Sequence, residues 1–181
     1  MSDQVTKWDC GADGGNVTAT LDGGTLTISG TGAMGYWEES GFVPWMKDKR
    51  GKEITSVIIE DGVTTIGDWA FAEYCGNLAS ATIPSSVTEI KSCAFCGTAL
   101  KSITIPESVT VIEESAFAGC DRLTSITVLS ATPPKVSSRD AFENTPFDDK
   151  NDDARLYVPK SGIDAYRSAK VWERFENVEG I

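Results

Sequence analysis

Ile54, Leu78, Leu100 and Leu123 stand 24, 22 and 23 residues apart, and each opens a segment with the same apolar spacing. Three residues further on stand Val57, Ala81, Ile103 and Ile126; five further on stand Ile59, Ile83, Ile105 and Val128. Apolar residues at alternate positions predict a short strand with one buried face. Val63 and Ile66, Val87 and Ile90, and Val109 and Ile112 follow at offsets nine and twelve. An Ala-Phe pair then places Phe71, Phe95 and Phe117 at offset seventeen in three successive units. The fourth unit keeps Ala141-Phe142, but its Phe falls at offset nineteen because LSATPPKV (129–136) replaces the usual turn. It reads as a modified terminal unit.

A period of about 20–29 residues with an L-x-x-I-x-I core predicts a leucine-rich repeat solenoid. The expected architecture is a right-handed stack of short parallel β-strand repeats, with units 54–77, 78–99, 100–122 and 123–146. Residues 1–53 would form an N-terminal β-hairpin cap, and 147–181 a C-terminal strand-helix cap. One unit cannot hide its apolar face, so neighbours must stack to bury a continuous core. Each of the first three units offers about six large apolar side chains, worth roughly 1.5–3 kcal/mol apiece when buried. Pro84 and Pro106 follow the strand residues directly, where the ring ends the strand.

An open solenoid end exposes core and strand edge, so both ends need cover. Val17–Thr31 reads as a hairpin that turns at Asp22-Gly23-Gly24, while Gly14-Gly15, Gly30, Gly32 and Gly35 mark further turns. Trp8, Trp37, Phe42 and Trp45 supply bulk over the first repeat. An aromatic platform for a ligand is the sharper alternative, but aromatics beside a solenoid end are more often cap core. Downstream, DDKNDD (148–153) predicts a solvated acidic loop, since it lacks the D-x-[DN]-x-[DN]-G spacing of a calcium loop. LYVP predicts a strand, and Ser161 a helix cap before Ile163, Tyr166 and Val171. Trp172 and Phe175 would close the array.

Net charge is −11, from 27 acidic and 16 basic residues, which argues against nucleic acid and anionic membrane surfaces as partners. Nothing approaches the apolar run of a membrane span, so membrane insertion is not expected. MSDQVTKWDCG lacks a basic-then-apolar leader. An intracellular protein and a mature chain without its signal both remain open. The chain has no histidine, which removes the usual general base, the Ser-His and Cys-His pairs and the commonest transition-metal ligand. No cofactor, metal site or catalytic residue is expected. Cys93-Ala-Phe-Cys96 is formally a CxxC, yet its inner residues are the repeat's own Ala-Phe pair, so the thiols read as structural. Cys75 and Cys120 each lie three residues before an opener, with Gly97 in the same place. Two repeat steps would separate the sulfurs by nearly 10 Å, too far for a disulfide. Cys10 could pair only if the N-terminal segment folds onto another thiol.

The repeat IxIPxSVTxIxxxAFxxC, running from Ile54 to about Thr145, resembles the BspA-like leucine-rich repeat family of bacterial surface proteins. The lead-in LDGGTLTISGTGAM with PWMKDKRGKEITSVIIEDGVTTIGDWAF, and the tail LYVPKSGIDAYRSAKVWERFENV, are similar to the flanks of its gut-bacterial members. The resemblance implies a secreted or cell-surface adhesion protein, its leader removed, binding a host or bacterial surface protein or a glycan. The outward side of the strands would be the contact surface, with Ser80, Ser102 and Ser125 in one row after Ser56. Thr82, Thr104 and Thr127 form the next row after Ile58. Small hydroxyl residues are also ordinary solvent-facing strand residues. Two other functions compete: a structural spacer within a larger surface protein, and a carboxylate-based glycosidase. The second needs an acidic pair facing one cleft, whereas Glu113 and Glu114 are adjacent and point apart.

Overall fold

The computed structural model describes residues 5–12, 15–148 and 153–181. Thirteen strands occur among them: β1 (Thr6–Asp9), β2 (Asn16–Asp22), β3 (Thr25–Ala33), β4 (Ser56–Ile59), β5 (Val63–Ile66), β6 (Ser80–Thr82) and β7 (Glu89–Ile90) precede β8 (Ser102–Ile105), β9 (Val111–Ile112), β10 (Ser125–Val128), β11 (Lys135–Val136), β12 (Arg155–Val158) and β13 (Val178–Gly180). Two short helices, α1 (Pro44–Lys47) and α2 (Ile163–Ser168), lie towards the two ends. Each repeat contributes two strands, so the strands stack in two parallel series.

The first series comes from the L-x-x-I-x-I residues: β3 pairs with β4 and β4 with β6, then β8, β10, β12 and β13 pair in turn. Among the described residues no ladder joins β6 to β8, at the unit where Ala81 replaces a larger residue. The second series is β3-β5-β7-β9-β11, built on Ile66, Ile90, Ile112 and Val136. Beyond β3 these strands are only two to four residues long. The sequence marks their apolar positions but is silent about their backbone pairing.

A third ladder runs through the Ala-Phe turns. The amides of Phe71, Phe95 and Phe117 donate to the carbonyls of Ala94, Ala116 and Ala141, each at 2.8 Å. Those of Glu73, Gly97 and Gly119 donate to Cys96, Ala118 and Glu143, again at 2.8 Å. Successive units therefore exchange backbone hydrogen bonds on three sides, or on two where β6 meets β8, and what is left inside must be apolar. Phe71, Phe95, Phe117 and Phe142 fill the interior as a continuous stack, with centroids 5.3, 5.4 and 5.6 Å apart. Trp45 extends it at one end, 5.9 Å from Phe71, and Trp172 at the other, 5.5 Å from Phe142. Both indoles are fully buried and donate to backbone carbonyls, Trp45 to Ala70 and Trp172 to Pro134.

The flanking segments join the same stack. β2 and β3 form the expected hairpin around Gly23 (φ 53°) and Gly24 (φ 84°), two left-handed residues that suit a tight two-residue turn. β1 adds a third antiparallel strand that the sequence does not announce. Gly30 and Gly32 lie inside β3 rather than in turns. There the strand passes from the first series to the second, and a Cβ on Gly30 (φ 121°) would sit 1.7 Å from the Asn16 carbonyl oxygen. Trp8 and Trp37 pack edge-on against Trp45, but Phe42 points outward beneath Lys47 because Val43 takes the buried position.

At the other end β12 forms as expected. Gly162, not Ser161, precedes α2, and Ser161 belongs to a preceding 3-10 turn. Val171 is buried but lies beyond the helix, which ends at Ser168. Trp172 and Phe175 close against Phe142. Of the acidic run 148–153, residues 149–152 lie outside the described residues; Asp148 pairs with Arg174.

The thiols are part of the filling. All five are free, Cys10 included. Gly97 does not share a column with Cys75 and Cys120; Thr98 does. Thr98 is buried and its Oγ1 lies 3.3 Å from the Cys120 sulfur. Thr98 stands two residues before its opener and Cys75 and Cys120 three, a difference that comes only from unequal turn lengths, and the same buried corner continues in Thr145. Burial pushes the thiols of Cys75 and Cys10 up to about 12 and that of Cys120 to about 11, so they persist as neutral thiols. The Cys93 thiol is likewise pushed up to about 12, chiefly by burial, and Cys96 is raised for the same first reason.

Candidate binding face

Because side chains alternate along a strand, burying Val57, Ile103 and Ile126 turns the intervening residues outward. Parallel register then aligns them between units. Ser56 lies beside Ser80, Ser102 beside Ser125, and Ser125 beside Arg155. In the next row Ile58 lies beside Thr82, Thr104 beside Thr127, and Thr127 beside Tyr157. Glu179 continues this row past Tyr157, and Thr25 and Thr27 begin the two rows on β3.

Ser80, Thr82, Ser102 and Thr104 are exposed; Ser125 and Thr127 are half-buried. The Ser80 hydroxyl donates to that of Ser56 at 3.1 Å, so part of this polarity is satisfied within the face. Ile58 is 41% exposed, an apolar group on an otherwise hydroxyl-rich surface. Tyr157 and Arg155 are half-buried, and Arg155 pairs with Glu179 at 3.1 Å. The repeat count puts Ile58 at the head of its row without marking it as an anchor, and it passes over Tyr157 and Arg155. The three supply the aromatic, cationic and apolar anchors that contact surfaces favour. Ile58 could have been noticed as the odd member of its row. Tyr157 could not, because β12 follows β10 by 30 residues, outside the repeat period.

A cluster of charge lies along the second strand series. The Lys91 ammonium lies 2.6 Å from Glu89 and 2.9 Å from Glu113, and Ser92 donates to Glu113 at 3.1 Å. Those hydrogen bonds raise the Lys91 pKa. Asp68, close by, is held above the usual carboxyl range first by desolvation. The cluster binds itself: its carboxylates converge on a lysine. Among the described residues, no group of three or more His, Cys, Asp or Glu side chains is arranged to hold a metal ion. No helix among them is long and apolar enough to cross a membrane.

Short parallel strands, one set per sequence repeat, stacked about an internal column of phenylalanines, define a leucine-rich repeat fold. The chain belongs to the BspA type: residues 49–151 match the BspA type leucine-rich repeat region, in six copies. A leucine-rich repeat protein from Eubacterium ventriosum superposes with a TM-score of 0.66 at 27% identity, covering 98% of this chain and 44% of that one. The chain thus spans less than half the length of that relative. A leucine-rich cell surface protein from Faecalibacterium prausnitzii is 18% identical over 90% of this chain and 73% of its own, with a TM-score of 0.45. No curated protein matches the chain.

Proposed function

We propose that this chain is a non-catalytic recognition domain of a secreted or surface-displayed bacterial protein, and that it binds a host or bacterial surface protein through the strand face. One observation carries the reading: register places two hydroxyl rows on one exposed face and carries them on to Arg155 and Tyr157. Ser80, Thr82, Ser102, Thr104, Ser125 and Thr127 form the flat centre of the contact, with Ile58 and Tyr157 as anchors about 19 Å apart across four strand spacings. Small side chains lose little entropy on binding, while the anchors supply buried area.

In this reading the stack is a right-handed solenoid, as parallel crossover connections prefer. Residues 54–146 are its repeats, and 1–53 and 147–181 its caps, each sending a tryptophan onto the phenylalanine column. A non-catalytic role accords with the lack of histidine and with thiols held protonated by burial.

The test is surface plasmon resonance against a panel of purified host mucosal and bacterial surface proteins and glycans. The expected result is saturable binding to a protein, lost when Thr82 and Thr104 are both changed to Arg while the far-ultraviolet circular dichroism is unchanged. Binding only to glycans would replace the partner class. No saturable partner, or full tolerance of both arginines, would leave the repeats as a spacer and refute the proposal.

A further inference from the structure

A second surface lies away from the strand face, where the N-terminal segment meets the first repeat. Two adjacent clefts of about 590 Å³ each meet there at Lys47. One is lined by Tyr36, Trp37, Phe42 and Pro44; the other by Met46, Lys49, Lys52 and Tyr74. Tyr36 is 73% exposed, Tyr74 52% and Phe42 47%, which makes this a concentration of exposed aromatic surface. Neither the phenylalanine stack nor the strand rows require any of the three to face solvent.

The charge here opposes that of the rest of the molecule. The chain carries −11 overall, yet Lys47, Lys49 and Lys52 line the clefts, with Glu38 the one acidic residue lining either among the described residues. Two of the neighbouring acids are engaged elsewhere: Glu53 pairs with Arg50, and Asp48 accepts the Trp8 indole N–H at 2.6 Å; Glu39 and Glu73 flank the clefts without lining them. Past Tyr74 the surface continues as a shallow trough, reached through Asn77, whose amide donates to the Lys52 carbonyl. Lys101 and Arg122 line this trough against a single acid, Asp121.

Ring geometry and charge together distinguish between classes of occupant. A neutral sugar would lie on an open aromatic face, but the Lys47 ammonium sits 5.5 Å over the Phe42 ring and Trp37 packs edge-on against Trp45 at 6.0 Å. Tyr36 and Tyr74 remain open, yet a neutral sugar has no charge to meet the three lysines. A peptide side chain needs only an apolar recess with an adaptable wall, which Met46 and Tyr74 provide. We infer that these clefts dock an extended acidic peptide segment of a protein partner: its apolar side chains enter beside Tyr74 and Phe42, and its carboxylates meet Lys47, Lys49 and Lys52. This contact is separate from the strand face and stands whether or not that face binds anything.

The experiment is fluorescence anisotropy of the whole chain with a fluorescein-labelled synthetic peptide that alternates glutamate with leucine and phenylalanine. The controls are the same peptide with lysine for glutamate, and soluble polygalacturonate as competitor. Expected is saturable binding that weakens as salt rises, and by about tenfold or more in the Lys47→Glu, Lys49→Glu double variant and in Tyr74→Ala. All three positions are exposed, so circular dichroism should match the parent. The Thr82→Arg, Thr104→Arg variant should bind the peptide as the parent does. Absence of binding, equal affinity for the lysine peptide, persistence in the Lys47/Lys49 double variant, or loss in the Thr82/Thr104 variant would each overturn the inference. Displacement of the peptide by polygalacturonate at lower concentration would reassign the clefts to an anionic glycan.

Discussion

Phe95→Ala removes the centre of the aromatic column. Phe95 is fully buried, with Phe71 stacked 5.3 Å to one side and Phe117 5.4 Å to the other. Truncating a buried phenylalanine to alanine costs about 3–5 kcal/mol, which includes the cavity left behind. The site has little freedom to collapse, because both neighbouring turns are tied by 2.8 Å backbone hydrogen bonds to the turn that carries Phe95. The upper half of that range is therefore expected, against a total of about 5–15 kcal/mol for an ordinary domain. Phe95→Leu separates volume from stacking. It retains most of the apolar bulk but loses two ring pairs, each worth about 0.5–1.5 kcal/mol, so a loss of about 1–3 kcal/mol is expected. Urea unfolding followed by circular dichroism measures both variants. Hydrogen exchange should show the unit 78–99 opening first, since coupling in a repeat stack passes only between neighbours. A loss below about 1 kcal/mol for Phe95→Ala, or equal losses for Ala and Leu, would refute the claim that stacked rings hold the units together.

Three further outcomes follow from local geometry. Gly30→Ala should cost more than about 2 kcal/mol in urea unfolding, because the new Cβ would meet the Asn16 carbonyl at 1.7 Å in a left-handed backbone; Gly23→Asn, with open space around it, should change stability by less than about 1 kcal/mol. Iodoacetamide at pH 8 should modify Cys96, the one partly exposed thiol, before the other four, and mass spectrometry should find all five modified only in urea. Asp68→Asn should raise the urea midpoint at pH 7. A carboxyl whose folded pKa lies above its unfolded value destabilises the protein once pH exceeds both, and the gain should shrink as pH falls through the ordinary carboxyl range.

The stacking residues are legible in sequence because burial repeats with the period: Val57, Ile103, Ile126 and the phenylalanines are identical demands made by successive units. The corner column is not legible in the same way. Phe71, Phe95 and Phe117 precede the next opener by seven, five and six residues, so counting back from the opener selects Gly97 where backbone pairing selects Thr98. Conformation is equally hidden when the residue type disguises it. Gly97 and Gly119 advertise positive φ, but Glu73 and Asn144 adopt it at the same position beyond their phenylalanines. The two hydroxyl rows follow from alternation alone. Their extension to Arg155 and Tyr157 depends on β12 pairing in register with β10, a long-range contact with no periodic signature.

The most direct test of the account is a hydrogen-exchange footprint of the chain with a protein partner captured from the surface panel. The account predicts added protection across β6, β8, β10 and β12, and loss of that footprint together with affinity in the Thr82→Arg, Thr104→Arg variant. A saturable partner whose footprint avoids those strands, with affinity untouched by the two arginines, would contradict it.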